Sequence, residues 1–465
     1  MNDPHKGTLA ACVLVFVVAL VVLVLVVTRV PQARPRSTKP LQPNYMQNEL
    51  GSQTWVVVGA GLAATSFVRR LPNALRSVVT IREVSQRVGG RTTSTAQAVT
   101  PVSTQTSPWE FGAWAYRPFA HPNVSSLLDE LGVASVSIEL VTPYTFIWTV
   151  GGREPYVRTL PAIAVGQDGQ DGQDGQDGQD QWFAHTGFRP IQYPLVDKEL
   201  LSTLDLPQTA LLPVGFGWQD VVLRGIGTTP VIYGRRLCRI DILEPSKAVG
   251  RKTVKLTYAS GNTELVEGVI LTLPPPAMLV VQNLPRKIAD VIRTAFTTAS
   301  VGVLYATWAS MDVWWPKVGF FSGVVASSLP IGRVCVTSPN DLRCTMSGDA
   351  DVRFWNDVLV NKGQRAATLA IADQLSQTFG VSVPPPASVT YKAWMQAVSL
   401  WNTGIDREVA TAQLTRPWGP SVPVWWASGD LTDFPGWVEG AIVAGSTAAR
   451  DVSEHVYSTS YTINP

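Results

Sequence analysis

A chain of 465 residues with 45% hydrophobic side chains is long enough for two or three domains with large cores. A formal charge of +2 with only 15% charged residues leaves no basic footprint, which argues against a nucleic-acid partner. Four histidines, none paired at ligand spacing, and four cysteines without metal-ligand company give no metal site, and no Ser-His-Asp arrangement can be assembled.

The chain opens on an apolar run. Leu9 to Val27 is nineteen residues with no polar side chain other than Cys12, long enough at ~1.5 Å per residue to cross a ~30 Å bilayer core. One N-terminal transmembrane helix is therefore expected over residues 8–28. A cleavable signal would have an apolar core of about 7–15 residues followed by a small-residue cleavage site, and that pattern is not found. Lys6 is the only Lys or Arg before the run, whereas Arg29, Arg34, Arg36 and Lys39 follow it. This charge bias places the large domain on the cytoplasmic side of a single-pass membrane protein. Residues 29–53, with four prolines and no periodicity, read as an extended tether.

Trp55 to Val58 is a strand-type run that meets Gly59-Ala60-Gly61 at once, so the chain turns sharply into a helix from about Leu62 to Leu71. Gly59 allows the turn, and Gly61 lets the backbone approach a pyrophosphate at the helix amino end. Ala64 stands where a small residue lets helix pack on strand. A second strand, Val78 to Arg82, ends on Glu83, 24 residues after Gly59, placed to accept hydrogen bonds from ribose hydroxyls. Arg87-Val88-Gly89-Gly90-Arg91 then sets two glycines between two guanidinium groups, where amides and a fixed cation meet a diphosphate or a flavin edge. With this element the sequence resembles the flavin-containing amine oxidases, the family of monoamine, polyamine and L-amino-acid oxidases. The resemblance implies an FAD site formed by Gly59, Gly61, Glu83, Gly89, Gly90 and Arg91, with Arg87 beside them.

Further along, Trp109-Glu110-Phe111-Gly112-Ala113-Trp114 and the helix that follows His121-Pro122 resemble the family's loop past the flavin. His121, before a proline at a helix start, reads as a cap or surface residue rather than a catalyst. Gly166 to Asp180 is five copies of Gly-Gln-Asp with nothing apolar to bury, expected as a disordered surface loop. Leu237 to Leu243, Thr253 to Tyr258 and Val266 to Leu273 make a hairpin-rich unit around a Ser260-Gly261-Asn262 turn. By resemblance, Leu237 takes the adenine-side position, and the strand from Gly268 to Pro274 passes the cofactor.

One departure concerns chemistry. Many family members carry a lysine that holds a water against the flavin N5, a short way before an aromatic-Trp pair. Here Trp314-Trp315 matches the pair and counting back gives Tyr305, with no lysine between Lys287 and Lys317. Tyr305 can donate a hydrogen bond but supplies no positive charge. Cys335 and Cys344 flank a turn at Ser338-Pro339-Asn340-Asp341 and are expected to face each other across a hairpin, reduced in a cytoplasmic setting. Near the end, Val424 to Asp430 and Gly436-Trp437-Val438-Glu439-Gly440-Ala441 resemble the family's C-terminal flavin motif. The resemblance gives Gly429 and Asp430 to the ribityl or diphosphate part and a backbone N–H to Val438. It reads Gly440, Ala441, Gly445 and Ala448 as a smooth face that lets the helix approach the flavin. Trp437 matches one aromatic wall of the substrate channel, with Trp401 or Trp394 as the other. No cysteine follows Cys344, so FAD is expected to be non-covalent.

The expected fold is α/β: a Rossmann-like FAD-binding domain of the glutathione-reductase/amine-oxidase type, with an inserted α+β substrate domain. The cofactor domain is assigned residues 54–145, 206–275 and 391–465, and the substrate domain 146–205 and 276–390. The expected reaction is FAD-dependent oxidation of a small-molecule amine, with hydride passing from the carbon beside nitrogen and oxygen returned as peroxide. Two alternatives are a flavin-dependent desaturase acting on an apolar molecule drawn from the membrane, and a catalytically silent membrane-anchored flavin scaffold.

Overall fold

The computed structural model describes residues 54–95, 108–116, 118, 120–139, 145–148, 156–159, 209–213, 217–244, 253–320, 324–327 and 329–461. The apolar run Leu9 to Val27, the tether and the Gly-Gln-Asp repeat lie outside the described residues. Among those described, no helix is long and apolar enough to cross a membrane.

The first strand, β1 (Trp55–Val58), is apolar on both faces, and all four residues are buried. That is the pattern of a central parallel strand. It runs into helix α1 (Leu62–Arg70), which returns the chain to β2 (Val79–Arg82), paired parallel with β1 from Trp55↔Val79 to Val58↔Arg82. Helix α2 (Pro122–Glu130) follows. A second part of the chain adds helix α3 (Trp218–Ile226) and strand β3 (Val231–Ile232). It continues through a three-stranded antiparallel hairpin unit, β4 (Leu237–Leu243), β5 (Thr253–Tyr258) and β6 (Thr263–Val266), into β7 (Gly268–Leu271). Helix α4 (Arg286–Ala295) then leads to a five-stranded antiparallel sheet. Its strands are β8 (Phe296–Thr307), β9 (Val324–Ala326), β10 (Arg333–Ser338), β11 (Asp341–Ser347) and, after helix α5 (Gly363–Phe379), β12 (Ser388–Trp401). Strand β13 (Val424–Trp426) and helix α6 (Val438–Tyr461) close the chain.

The parallel sheet has the order β13-β7-β1-β2-β3, so three separated parts of the chain build it. Side chains alternate across its faces. Val57, Ile270 and Trp425 join Phe67 of α1 and Ile442 of α6 in one core, and Val56, Val58, Val269 and Trp426 join the hairpin unit in another. Each large buried side chain contributes about 1.5–3 kcal/mol. An Arg82–Glu264 ion pair at 2.7 Å ties the sheet to the hairpin unit.

Two assigned boundaries differ from the structure. Residues 391–401, assigned to the cofactor domain, run along β12 within the antiparallel sheet. Ile288 and Ile292 of α4, assigned to the substrate domain, pack in the core beneath the parallel sheet. The reason is that β8 and β12, 12 and 14 residues long, pass from that core into the second sheet, whose order is β9-β10-β11-β8-β12.

Helix α5 covers one face of the second sheet, with Ile371 and Leu375 against Leu304, Cys344 and Met346. The opposite face carries Val303 and Tyr305, packed with Phe111. Cys335 and Cys344 do not face each other. Cys335 pairs with Arg343 and Cys344 with Val334, and a one-residue offset puts the two thiols on opposite faces. Both are free and buried.

Candidate active site

The site starts at the amino end of α1. Gly59 has φ +106°, and a Cβ there would stand 2.5 Å from the Thr272 hydroxyl, so the turn requires glycine. Gly61 takes the N-cap position without any side-chain cap, and no acidic residue occupies the first turn. The first amides of the helix have no intrahelical acceptor, which leaves a partial positive charge free for an anion. Across from them the Gly89-Gly90 loop crosses close by: a Cβ on Gly90 would lie 3.6 Å from the Gly61 Cα. Ala64 is fully buried behind this turn, in the core that α1 shares with α6.

Glu83 is buried at the end of β2 and already accepts two backbone hydrogen bonds, from Ala60 at 2.9 Å and Ser85 at 2.8 Å. A carboxylate has about four lone-pair positions, so capacity remains for ribose hydroxyl donors. Arg87 laces its own loop, donating to the carbonyls of Val88, Gly90 and Thr92. Arg91 is held differently: Nη1 donates to the Asp430 carboxylate at 3.0 Å and the Ala397 carbonyl at 2.9 Å. Asp430 is fully buried and also accepts from the Ser428 hydroxyl, so it is turned to Arg91 and fixes that cation at the loop. The uncapped helix end, facing glycines, acidic strand terminus and fixed guanidinium together fit a dinucleotide such as FAD. Leu237, at the start of β4, is buried beside Val56 and Val58.

The C-terminal motif is used in several ways. A Cβ on Gly429 would meet the Ala441 amide at 2.7 Å, and one on Gly440 the Phe434 carbonyl at 2.4 Å, so the 429–434 turn packs tightly on the start of α6. A Cβ on Gly445 would meet the Ala63 carbonyl at 2.1 Å. Gly440 and Gly445 thus serve close packing on the turn and on α1. Val438 opens α6, and its amide has no acceptor within the helix. Glu439 is buried and caps α2, accepting from the Asn123 amide and side chain and from the Val124 amide. Trp437 is half-buried against His121, with ring centroids 4.7 Å apart. His121 is itself only 2% exposed, so it is no surface residue.

The second sheet brings a further group together. Tyr305 is buried, stacked on Trp109 at 5.2 Å and edge-on to Phe111. Its hydroxyl donates to the Glu110 carbonyl and accepts from the Glu110 amide, and burial raises its pKa. Trp394 Nε1 donates to the Phe111 carbonyl, and its ring has the Arg87 guanidinium 5.9 Å and the Lys392 ammonium 4.6 Å from its centroid. Burial and the charge of Arg87 hold Lys392 below its ordinary pKa. Trp401 is not part of this group; it is 1% exposed and packed on Phe296 in the core beneath the parallel sheet. Lys392 is the cation that reading along the chain missed. It lies on the strand beside Tyr305's own, opposite Val303, and only strand register reveals it.

A family model for flavin-containing amine oxidoreductases matches residues 61–194 and 218–453. Among solved structures, putrescine oxidase bound to putrescine is similar at TM-score 0.60 with 15% identity, covering 86% of this chain and 99% of that one. Cyclohexylamine oxidase from Brevibacterium oxydans is similar at TM-score 0.61 with 16% identity, covering 88% and 100%. No curated protein matches the sequence.

Proposed function

The chain belongs to the family of flavin-containing amine oxidoreductases, and we propose that it holds FAD without a covalent bond and oxidises a small-molecule amine, with oxygen as the acceptor. The observation that carries the cofactor assignment is the uncapped amino end of α1 facing the Gly89-Gly90 loop, with Arg91 fixed beside it by Asp430. FAD bound there supplies the acceptor for the hydride that leaves the carbon beside nitrogen, oxygen carries the electrons on to peroxide, and the imine hydrolyses. The protein's part is positioning. The α1 amides, Gly61 and Arg91 hold the diphosphate, Glu83 takes ribose hydroxyls, and Val438 offers an amide at the head of α6. Trp394 and Trp437 present aromatic surface to an incoming amine. Tyr305 braces the 109–111 segment through its bond to Glu110, and Lys392 supplies the positive charge that Tyr305 lacks.

The test is an absorbance spectrum of the purified protein, followed by anaerobic addition of an amine panel. A flavin spectrum that bleaches with an amine, and flavin released into the supernatant by acid precipitation, are the expected results. A colourless protein that takes up no added FAD would refute the proposal. For location, the apolar run Leu9 to Val27 and the Arg and Lys residues after it support a membrane anchor with the folded part on the cytoplasmic side.

A further inference from the structure

Strand β12 lies at the edge of the second sheet, and its pairing with β8 is broken at one place. Ala299 pairs with Val398 and Val301 with Trp394, so Ser300 alone stands opposite Met395, Gln396 and Ala397. Two extra residues in an edge strand form a bulge that pushes it outward from its partner. Ser300 holds this bulge from within. It is 1% exposed, and its hydroxyl donates to the Met395 carbonyl at 2.8 Å. Its own carbonyl accepts from the Gly348 amide at 3.0 Å, which ties the support to the end of β11.

Both ends of the bulge meet the cofactor cradle. Trp394, just before it, has its ring 5.9 Å from the Arg87 guanidinium and its Nε1 on the Phe111 carbonyl. Ala397, its last residue, accepts from Arg91 Nη1 at 2.9 Å, the same nitrogen that bonds the Asp430 carboxylate at 3.0 Å. Val398, just after it, packs at the turn before α6: a Cβ on Gly436 would stand 2.9 Å from a Val398 methyl. Asp430 gives the Arg91 guanidinium one fixed direction and the Ala397 carbonyl gives it a second. A planar group held from two sides presents its remaining donors in one orientation. Without the two extra residues β12 would lie back against β8, and the Ala397 carbonyl would be drawn away from Arg91.

We propose that Ser300 is a positioning residue for the cofactor: by holding the Met395–Ala397 bulge it sets the Ala397 carbonyl on Arg91 and so aims that guanidinium at the FAD diphosphate. This rests on the flavin reading of the same site. It gives the second sheet a part in holding the cofactor, and it fixes Trp394 and Arg91 through one short stretch of backbone.

The experiment measures FAD affinity, by quenching of flavin fluorescence, and the visible circular dichroism of the bound flavin, for the full-length protein and three variants. Ser300→Ala is expected to weaken FAD binding about tenfold and to alter the dichroism bands. Ser300→Thr, which keeps the hydroxyl, is expected to stay within about threefold of the parent and to keep its bands. Deletion of Met395 and Gln396 leaves one residue opposite Ser300 and a regular ladder, with Trp394 and Val398 in their present register. Its apoprotein is expected to melt within a few degrees of the parent's, while its FAD affinity falls about 100-fold. Parent-like affinity and dichroism in Ser300→Ala or in the deletion overturn the proposal, as does a Ser300→Thr variant that loses as much as Ser300→Ala. If the deletion does not fold, the Ala and Thr variants decide the matter by themselves. A parent that takes up no FAD refutes the flavin reading and this inference with it, whereas equal FAD binding by parent and Ser300→Ala refutes this inference alone.

Discussion

Asp430 and Arg91 show how differently two ends of one ion pair are placed. Asp430 is fully buried, whereas the Arg91 side chain keeps 35% of its surface. Removing the cation strands a buried carboxylate; removing the acid leaves a guanidinium that can turn to water. Arg91→Met should therefore cost about 3–5 kcal/mol of stability, and Asp430→Asn about 1 kcal/mol. Urea unfolding of both variants checks this, and equal losses would contradict the clamp. Glu110 provides a pH prediction. Its carboxyl is raised in the fold, chiefly by burial, from 4.5 to about 8, so the native state binds the proton more tightly than the unfolded chain. Its contribution is then fully present below about pH 4.5 and is lost as pH rises toward 8, with a slope of at most about 1.4 kcal/mol per pH unit. Denaturant midpoints at pH 5.5 and 7.5 should differ in that sense, and Glu110→Gln should flatten the difference. Residues near the cradle were legible in the sequence because phosphate binding needs glycines and charges within a few positions of one another. Tyr305 was legible only as a missing lysine. Its bond to Glu110, and the placing of Lys392 on the neighbouring strand, depend on segments that meet far from each other in the chain.

Among the elements, α1 and α6 decide whether the cradle is held still. They meet through Gly445, whose Cβ position lies 2.1 Å from the Ala63 carbonyl, and through Ser66, which donates to the Ile442 carbonyl at 2.8 Å. Gly445→Ala forces the helices apart at the turn next to the amino end of α1. The expected cost is about 1–3 kcal/mol, and FAD affinity should fall with it, measured by quenching of flavin fluorescence. Loss of stability with unchanged affinity would show that the helix end is positioned by the sheet alone. Spacing in the sequence shows which helix face is smooth, and so suits a close approach of the helix, but not that Gly445 packs on α1. Strand pairing limited the reading in the same way. Cys335 and Cys344 sit on either side of a turn, yet a one-residue offset sends them to opposite faces. Trp401 and Trp394 lie on one strand, and its length carries Trp401 down into the core while Trp394 stays at the loop.

For the whole molecule, the parallel sheet draws on three parts of the chain, and residues Gln53–Pro465 form one compact unit. That arrangement was readable in outline because each part carries its own apolar strand: Trp55 to Val58, Gly268 to Leu271 and Val424 to Trp426. The domain edges were not, because the long strands β8 and β12 belong to a core at one end and to the second sheet at the other. The end of β1 is held by backbone bonds from Trp55 to Val78 and from Glu267 to Thr54, all within the described residues. A chain beginning at residue 53 should therefore fold and take up FAD with the affinity of the full-length protein. If Leu9 to Val27 is the anchor, the full-length protein stays in the membrane pellet after an alkaline carbonate wash while the shortened one moves to the supernatant. Full-length protein that washes off would remove the anchor and leave the flavin site intact. Shortened protein that no longer binds FAD would instead show that the first 52 residues take part in the cradle.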